Sequence, residues 1–301
     1  MLNISLKYNR DLYTDYEKCL KLLRDVALSD YTYPDITTNF HVFTEIKTPK
    51  ELMVVKSYLA TQNLDKTHMH VWSEYDINDN NLIKPYKDYV TLKVYDPYKE
   101  SKDTILEGRK DILDVDDNNH WMSSGVFRFV VPHNYGGVYS DMDVIFLRDM
   151  KPILDQEYAY MWGSEMDFEE FGPCAAFMAF LKESELVKLC LDEISKTEIH
   201  PMSTCLDHAL LAKVYKKRKF TVFPSVFFDT EWQINSKHPG LGDKIQDGWF
   251  QMNDYSHYVF PEAFAWHWHN TSMKNKDIHP QSKFGKLQSL IDDRLRERKI
   301  L

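Results

Sequence analysis

Residues 136–143, Gly136-Gly137-Val138-Tyr139-Ser140-Asp141-Met142-Asp143, place two carboxylates one residue apart at the end of an apolar run that opens on paired glycines. The chain has only 10 glycines in 301 residues, about half of ordinary usage. Two adjacent ones therefore mark a point where the backbone needs a conformation other residues resist. Val144, Ile145, Phe146 and Leu147 follow directly, so the aspartates sit in a strand-like context rather than in a solvated charge run. Residues i and i+2 of an extended chain project to one side, which aims Asp141 and Asp143 into one site. Two carboxylates buried together cannot both stay ionised without a compensating cation. Hard oxygen ligands of this kind suit magnesium or manganese, which take one or two carboxylates and leave other positions for phosphate.

Around this segment, helical and extended patterns alternate. Apolar residues recur at helical spacing from Asp11 to about Leu28, and helices are expected over Glu51–Leu64, Trp121 to about His133, Glu185–Ile194 and Leu206–Tyr215. Phe284, Leu287, Leu290, Ile291 and Leu295 suggest a closing helix. Strands are expected over Phe40–Ile46, Thr67–Ser73, Thr91–Tyr95, Tyr158–Trp162, Cys174–Leu181 and Ala263–His269. Phe220–Phe228 also reads as strand, with Pro224 near its end. The alternation predicts one layered α/β domain. No repeat, low-complexity tract or linker divides it.

A formal charge of −9 leaves no broad basic face for nucleic acid. The one basic run, Lys216-Lys217-Arg218-Lys219, reads as a solvated loop or helix end, with phosphate binding as the alternative. Cys19, Cys174, Cys190 and Cys205 show neither C-x-x-C nor zinc spacing, which predicts buried thiols in a reducing compartment. No secretory leader and no stretch of about 20 apolar residues is visible. The expected setting is cytoplasmic.

Arg128, Gly136, Gly137, Tyr139, Asp141 and Asp143 together resemble the DXD-containing sugar transferases. That superfamily includes yeast-type mannosyltransferases, capsular-polysaccharide enzymes and large glucosylating bacterial toxins. Its pattern is S-D-x-x-R, a spacer, then G-G-x-Y-x-D-x-D. Here it stands as Ser124-Gly125-Val126-Phe127-Arg128 followed by residues 136–143. A bare D-x-D is common by chance; its combination with G-G-x-Y and an upstream arginine is specific.

The resemblance implies a GT-A type fold, a Rossmann-like mixed sheet flanked by helices. A nucleotide-binding half would run from about 38 to 150, an acceptor half from about 151 to 280, with terminal helices at both ends. It implies a UDP- or GDP-sugar donor, Mn2+ or Mg2+, a glycan or other hydroxyl acceptor, and transfer with retention. Asp143 would ligate the metal. Asp141 would contact the ribose and reach the metal through water. Tyr139 would hold the nucleotide and Arg128 the sugar or diphosphate, where a fixed guanidinium stabilises the departing charge. Phe43, beside Thr44 in the stretch Phe40-His41-Val42-Phe43-Thr44 that resembles the family's first strand, matches the position of a base-stacking aromatic. Trp266-His267-Trp268-His269-Asn270-Thr271-Ser272 resembles the returning segment that completes the metal site, with His267, His269 and Asn270 as candidate ligands. Ser203 to Leu211 resembles an acceptor-side D-Q-x-x-L stretch, with His208 in place of Gln, so Asp207 is either a sugar contact or a helix cap.

One departure stands out. The family carries an aspartate three residues before the arginine, against the donor sugar; this chain has Gly125. Either Asp116 or Asp117 replaces it or the donor sugar differs. The acidic stretch Glu165, Asp167, Glu169 and Glu170 reads as a solvated loop or as a source of a base. Two other classes stay open: a non-catalytic sugar-binding or scaffold protein of the same fold, and a D-x-D phosphohydrolase, against which Ile145 departs from the usual fifth position.

Overall fold

The apolar runs form a mixed sheet whose strand order follows from where the helical connections must pass. In the computed structural model, residues 6–114, 121–162, 168, 172–197, 208–234, 244, 248–251 and 262–301 are described. The strands are β1 (Thr38–Phe43), β2 (Thr67–Ser73), β3 (Thr91–Val94), β4 (Gly137–Ser140), β5 (Val144–Phe146), β6 (Tyr158–Met161), β7 (Pro173–Phe180), β8 (Thr221–Phe223) and β9 (Ala265–His267). Seven of them form one sheet in the order β3-β2-β1-β4-β7-β6-β8, and β5 pairs with β9 in a second. Strands β3, β2, β1 and β4 run parallel, β7 is antiparallel to both neighbours, and β8 is parallel to β6. The carboxyl ends of β1, β2, β4, β6 and β8 thus share one edge. An open sheet binds its ligands at this edge, where neighbouring parallel strands send their connections apart.

Helices cover both faces. The described ones are α1 (Arg10–Tyr13), α2 (Tyr16–Ala27), α3 (Met53–Thr61), α4 (Pro97–Glu100), α5 (Lys110–Leu113), α6 (Trp121–Tyr135), α7 (Glu185–Ser195), α8 (His208–Lys217), α9 (Thr230–Ile234), α10 (Asn270–Met273) and α11 (Lys283–Glu297). Alternation along β1 sends Phe40 and Val42 into the layer holding α2, α3, β5, β9 and α11. Phe43 faces the layer built on α6, α7 and α8. The helix expected over Asp11–Leu28 is two helices, because the Asp15 side chain accepts from Lys18 N–H and starts a new one. The strand expected over Phe220–Phe228 ends at Phe223, where Pro224 opens a 3-10 turn.

The two aspartates are not within a strand, as the sequence predicts. The chain leaves the large sheet after Ser140 and joins the small one at Val144, so Asp141, Met142 and Asp143 form the crossing. Asp141 N–H still donates to Ala176 O at 2.7 Å, and Asp143 O accepts from Trp268 N–H at 2.9 Å. The crossing is pinned to one sheet at its start and to the other at its end. Two carboxylates inside the sheet would lie under packed helices; here they open at its edge.

The paired glycines make the β1–β4 contact possible. Gly136 and Gly137 have φ of 65° and 108°, values that side chains disfavour. A Cβ at Gly137 would stand 2.1 Å from Asn39 O. Beside this turn His41 is fully buried. Its Nε2 lies 3.0 Å from Gly136 O and its Nδ1 accepts from Trp72 Nε1–H at 3.3 Å. A neutral ring with its proton on Nε2 satisfies both contacts. Burial holds His41 down to about 4, against the Gly136 carbonyl and with Lys93 adding to the fall.

Gly137→Ala should therefore lose roughly 3–5 kcal/mol from overpacking and left-handed strain together. Gly108→Ala, where φ is 74° and a Cβ meets nothing within 4 Å, should lose only about 1–2 kcal/mol. Urea melts of the two variants give the comparison. A second expectation concerns acid. Because the folded value of His41 lies below the ordinary 6.5, its stability contribution is full above that pH and is lost as pH falls toward 4. The loss from this residue is roughly 3 kcal/mol. His41→Gln should flatten that part of a stability curve measured by urea melts at successive pH values.

Candidate active site

At the shared carboxyl edge, the ends of β1, β2 and β4 and the α10 segment surround a cavity of ≈ 440 Å³, within the size range of small-molecule sites. Phe43, Thr44 and Glu45 line it from β1, Ser73 and Glu74 from β2, and Ser124 and Arg128 from α6. Tyr139, Asp141, Met142 and Asp143 line it from β4 and the crossing, and Asn270, Thr271 and Lys274 from the α10 segment. Phe43 is half-buried, its ring 4.9 Å from Phe127 and 5.6 Å from Tyr95. Thr44 is turned inward, where its Oγ1 accepts from Ile46 N–H at 3.1 Å.

Two side chains hold the Asp141 carboxyl. Tyr139 Oη–H donates to Asp141 Oδ1, and an Arg128 guanidinium nitrogen lies 3.4 Å from the same oxygen. Arg128 also donates from Nε to Ser124 O at 3.2 Å and stands over the Tyr139 ring, 5.2 Å from its centroid. Burial pushes the Asp141 carboxyl above its ordinary range; Arg128 opposes this and Asp143 adds to it.

Asp143 is held from the other side. Its Oδ2 accepts from Asn270 N–H at 2.7 Å and lies 3.3 Å from His267 Nε2. Burial opposes ionisation here too, but His267 and the Asn270 amide outweigh it and hold the carboxyl at about 2. His267 is raised well above its ordinary value, since Asp143 and Asp229 overcome the effect of burial. Its Nδ1 lies 3.0 Å from Tyr160 Oη and 3.6 Å from Asp229 Oδ2. The α10 segment carrying Asn270 is fixed by Lys50, whose ammonium donates to Met273 O at 2.9 Å, to Lys274 O at 3.2 Å and to Lys276 O.

The donor chemistry fits a divalent cation. Ligand atoms of Asp141, Asp143 and His267 lie within 4.8 Å of one another. One of the two carboxyls resists ionisation beside the other, and an added cation would relieve that conflict. Asp229, His267 and His269 form a second set within the same limit.

The sequence-stated candidates thus divide. Asp141, Asp143, Arg128, Tyr139, Phe43, Thr44 and Asn270 meet at the cavity, with His267 directly behind Asp143. Asn270 reaches Asp143 through its backbone amide. His269 adopts a left-handed backbone, φ 54°, and turns toward Asp229 at 3.0 Å and Trp232 at 2.7 Å. Asp207, Asp116, Asp117, Glu165, Asp167, Glu169 and Glu170 lie outside the described residues. Asp229 and Tyr160 were not anticipated. Asp229 and Glu231, one residue apart after Phe227-Phe228, repeat the spacing of Asp141 and Asp143, and that spacing is the signal by which Asp229 is findable. Glu231 is also fully buried, and burial with Asp229 beside it pushes its carboxyl up to about 8.

Comparison with known proteins places this geometry. Residues 16–160 match the family described as a glycosyltransferase sugar-binding region containing a DXD motif. No curated protein matches the chain. Two structures of the glycosyltransferase GlyE from Streptococcus pneumoniae TIGR4, one of them the apo-form, are similar over 88% of this chain at a TM-score of 0.54 and 10% and 11% identity. The alignment covers 64% of GlyE, so the chain spans just under two thirds of that protein's length, and the likeness is one of fold. A structure of the PaToxG glycosyltransferase is similar over 70% of this chain and 81% of its own, at 13% identity and a TM-score of 0.46.

Proposed function

We propose that this chain, whose residues 16–160 match the sugar-binding region of DXD-containing glycosyltransferases, transfers a sugar from a UDP- or GDP-sugar to a glycan or other hydroxyl acceptor, with a divalent cation and with retention. The observation that carries this reading is the Asp141–Asp143–His267 set opening onto the cavity between β1 and β4. A nucleotide enters along the β1 and β2 ends, where the Phe43 ring offers a face to the base. Its diphosphate then lies over the crossing between the two sheets.

Manganese or magnesium held by Asp143, with Asp141 and His267 beside it, would neutralise the diphosphate as it leaves. Arg128 adds a fixed positive charge on the same side, already oriented by Ser124 O and the Tyr139 ring. Tyr139 keeps Asp141 in place by its hydroxyl contact. As the glycosidic bond breaks, positive charge develops on the sugar, as in glycoside hydrolysis, and the acidic floor of the site favours that change. Gly125 leaves the donor sugar without the carboxylate usual three residues before the arginine, so either Asp116 or Asp117 takes that contact or the donor sugar differs. A phosphohydrolase is less well supported, because Asp141 as nucleophile would have its Oδ1 engaged by Tyr139 and Arg128. We place the enzyme in a reducing, cytoplasmic setting. In support, Cys19, Cys174 and Cys190 are buried and unpaired, and among the described residues no helix is long and apolar enough to cross a membrane.

Incubated with a panel of UDP- and GDP-sugars, the protein should slowly hydrolyse one of them, and only with manganese or magnesium present. Asp143→Asn should reduce that turnover by at least about 100-fold while the thermal melt of the apo protein stays cooperative; full activity in this variant would sink the assignment. Retention is checked separately, by the anomeric proton spectrum of the first product formed. An inverted product would require a general base in the acceptor half.

A further inference from the structure

We propose that Asp229 is a positioning residue: with Tyr160, its carboxylate keeps the proton of His267 on Nδ1 and so turns the Nε2 lone pair toward Asp143 and the cation bound there. This rests on the metal-dependent reading above and adds to it a residue that no part of the DXD pattern contains.

The geometry is specific. Asp229 is fully buried. Its Oδ2 lies 3.6 Å from His267 Nδ1 and 3.0 Å from His269 Nε2, yet has no hydrogen-bond partner. Leaving a buried carboxylate oxygen without a donor costs roughly 1–3 kcal/mol or more. Such an atom persists where a nearby positive group uses its charge, and His267 is the group between it and Asp143.

Backbone contacts fix the relation between the two. His267 N–H donates to Phe228 O at 2.9 Å, and Asp229 N–H bonds back to Ser225 O at 2.6 Å. The segment after β8 is thereby held against β9, with Asp229 and His267 on adjoining backbone positions. On the far side of the ring, Nε2 stands 3.3 Å from Asp143 Oδ2. An imidazole that ligates a metal through one nitrogen carries its proton on the other and gives it to an acceptor, which fixes both tautomer and ring orientation. Tyr160 Oη at 3.0 Å is the near acceptor, and Asp229 supplies the negative charge behind it.

A rival arrangement has a metal on Asp229, His267 and His269 themselves. Trp232 opposes it. Its Nε1–H stands 2.7 Å from His269 Nε2, the nitrogen that also lies 3.0 Å from Asp229 Oδ1, so a metal on that nitrogen would have to displace the indole.

The test titrates the full chain with manganese and follows it by electron paramagnetic resonance. Wild type should bind one ion and show nitrogen modulation from an imidazole in the spin echo. Asp229→Asn should weaken manganese binding about 10–100-fold and reduce the modulation; Asp229→Glu should recover part of both. Unchanged affinity and modulation in Asp229→Asn would overturn the proposal while leaving the metal-dependent reading intact. Two ions in wild type, with one lost in the variant, would overturn it in favour of a separate metal site. No binding by wild type would remove the metal reading, and this one with it. Should Asp229→Asn fail to fold, nitrogen-15 spectra of zinc-loaded wild type decide the matter: His267 protonated on Nδ1 supports the proposal, and protonation on Nε2 refutes it.

Discussion

The approach of the Gly137 backbone to Asn39 is the contact from which the site follows. With no side chain on β4 at that point, β1 and β4 lie as parallel neighbours in register from Phe40 opposite Val138 to Val42 opposite Ser140. That register, carried one residue on, brings Phe43 and Asp141 out at the same height on the same edge. A bulkier residue would part the strands at their start and shift every carboxyl-end residue with them. The glycines are far from the chemistry along the strand, and they set its geometry.

Electrostatics then divide the site into two halves. Asp141 belongs to Arg128 and Tyr139 on the α6 side, while Asp143 belongs to His267 and Asn270 on the β9 side. The two carboxyls are a residue apart in sequence but draw their partners from different layers. Each half is overdetermined by backbone as well as by side chains, which is the arrangement that holds charged groups in place before a ligand arrives. The buried Asp229 and Glu231 extend the same logic one shell outward.

Much of this was legible in sequence where the signals are local. Strand β2 spans Thr67–Ser73 as its residues suggest, and Trp121 begins α6. Tyr139, Asp141, Asp143 and Arg128 do meet in one cavity. The departures involve distant partners. The aspartates read as part of a strand because Val144, Ile145, Phe146 and Leu147 follow them directly, and the break at Asp141 depends on β9, which supplies the second sheet. Asn270 acts through an amide, which carries no side-chain signature. His269 is drawn away by a left-handed turn and by Trp232. Asp229, after Phe227-Phe228, is nearly 40 residues from His267 in sequence until the fold sets it beside that ring.

The β5–β9 pairing has a consequence for how the chain matures. Val144 pairs with His267 and Phe146 with Ala265, so Asp143 gains its neighbours only when a segment more than 100 residues downstream has docked. A chain emerging from the ribosome can complete the parallel strands early, since their contacts are comparatively local. Until residues 265–270 are made and folded back, Asp143 lacks both the imidazole and the amide. Competence for catalysis is thus tied to completion of folding, and a partly synthesised chain carries the motif without the site.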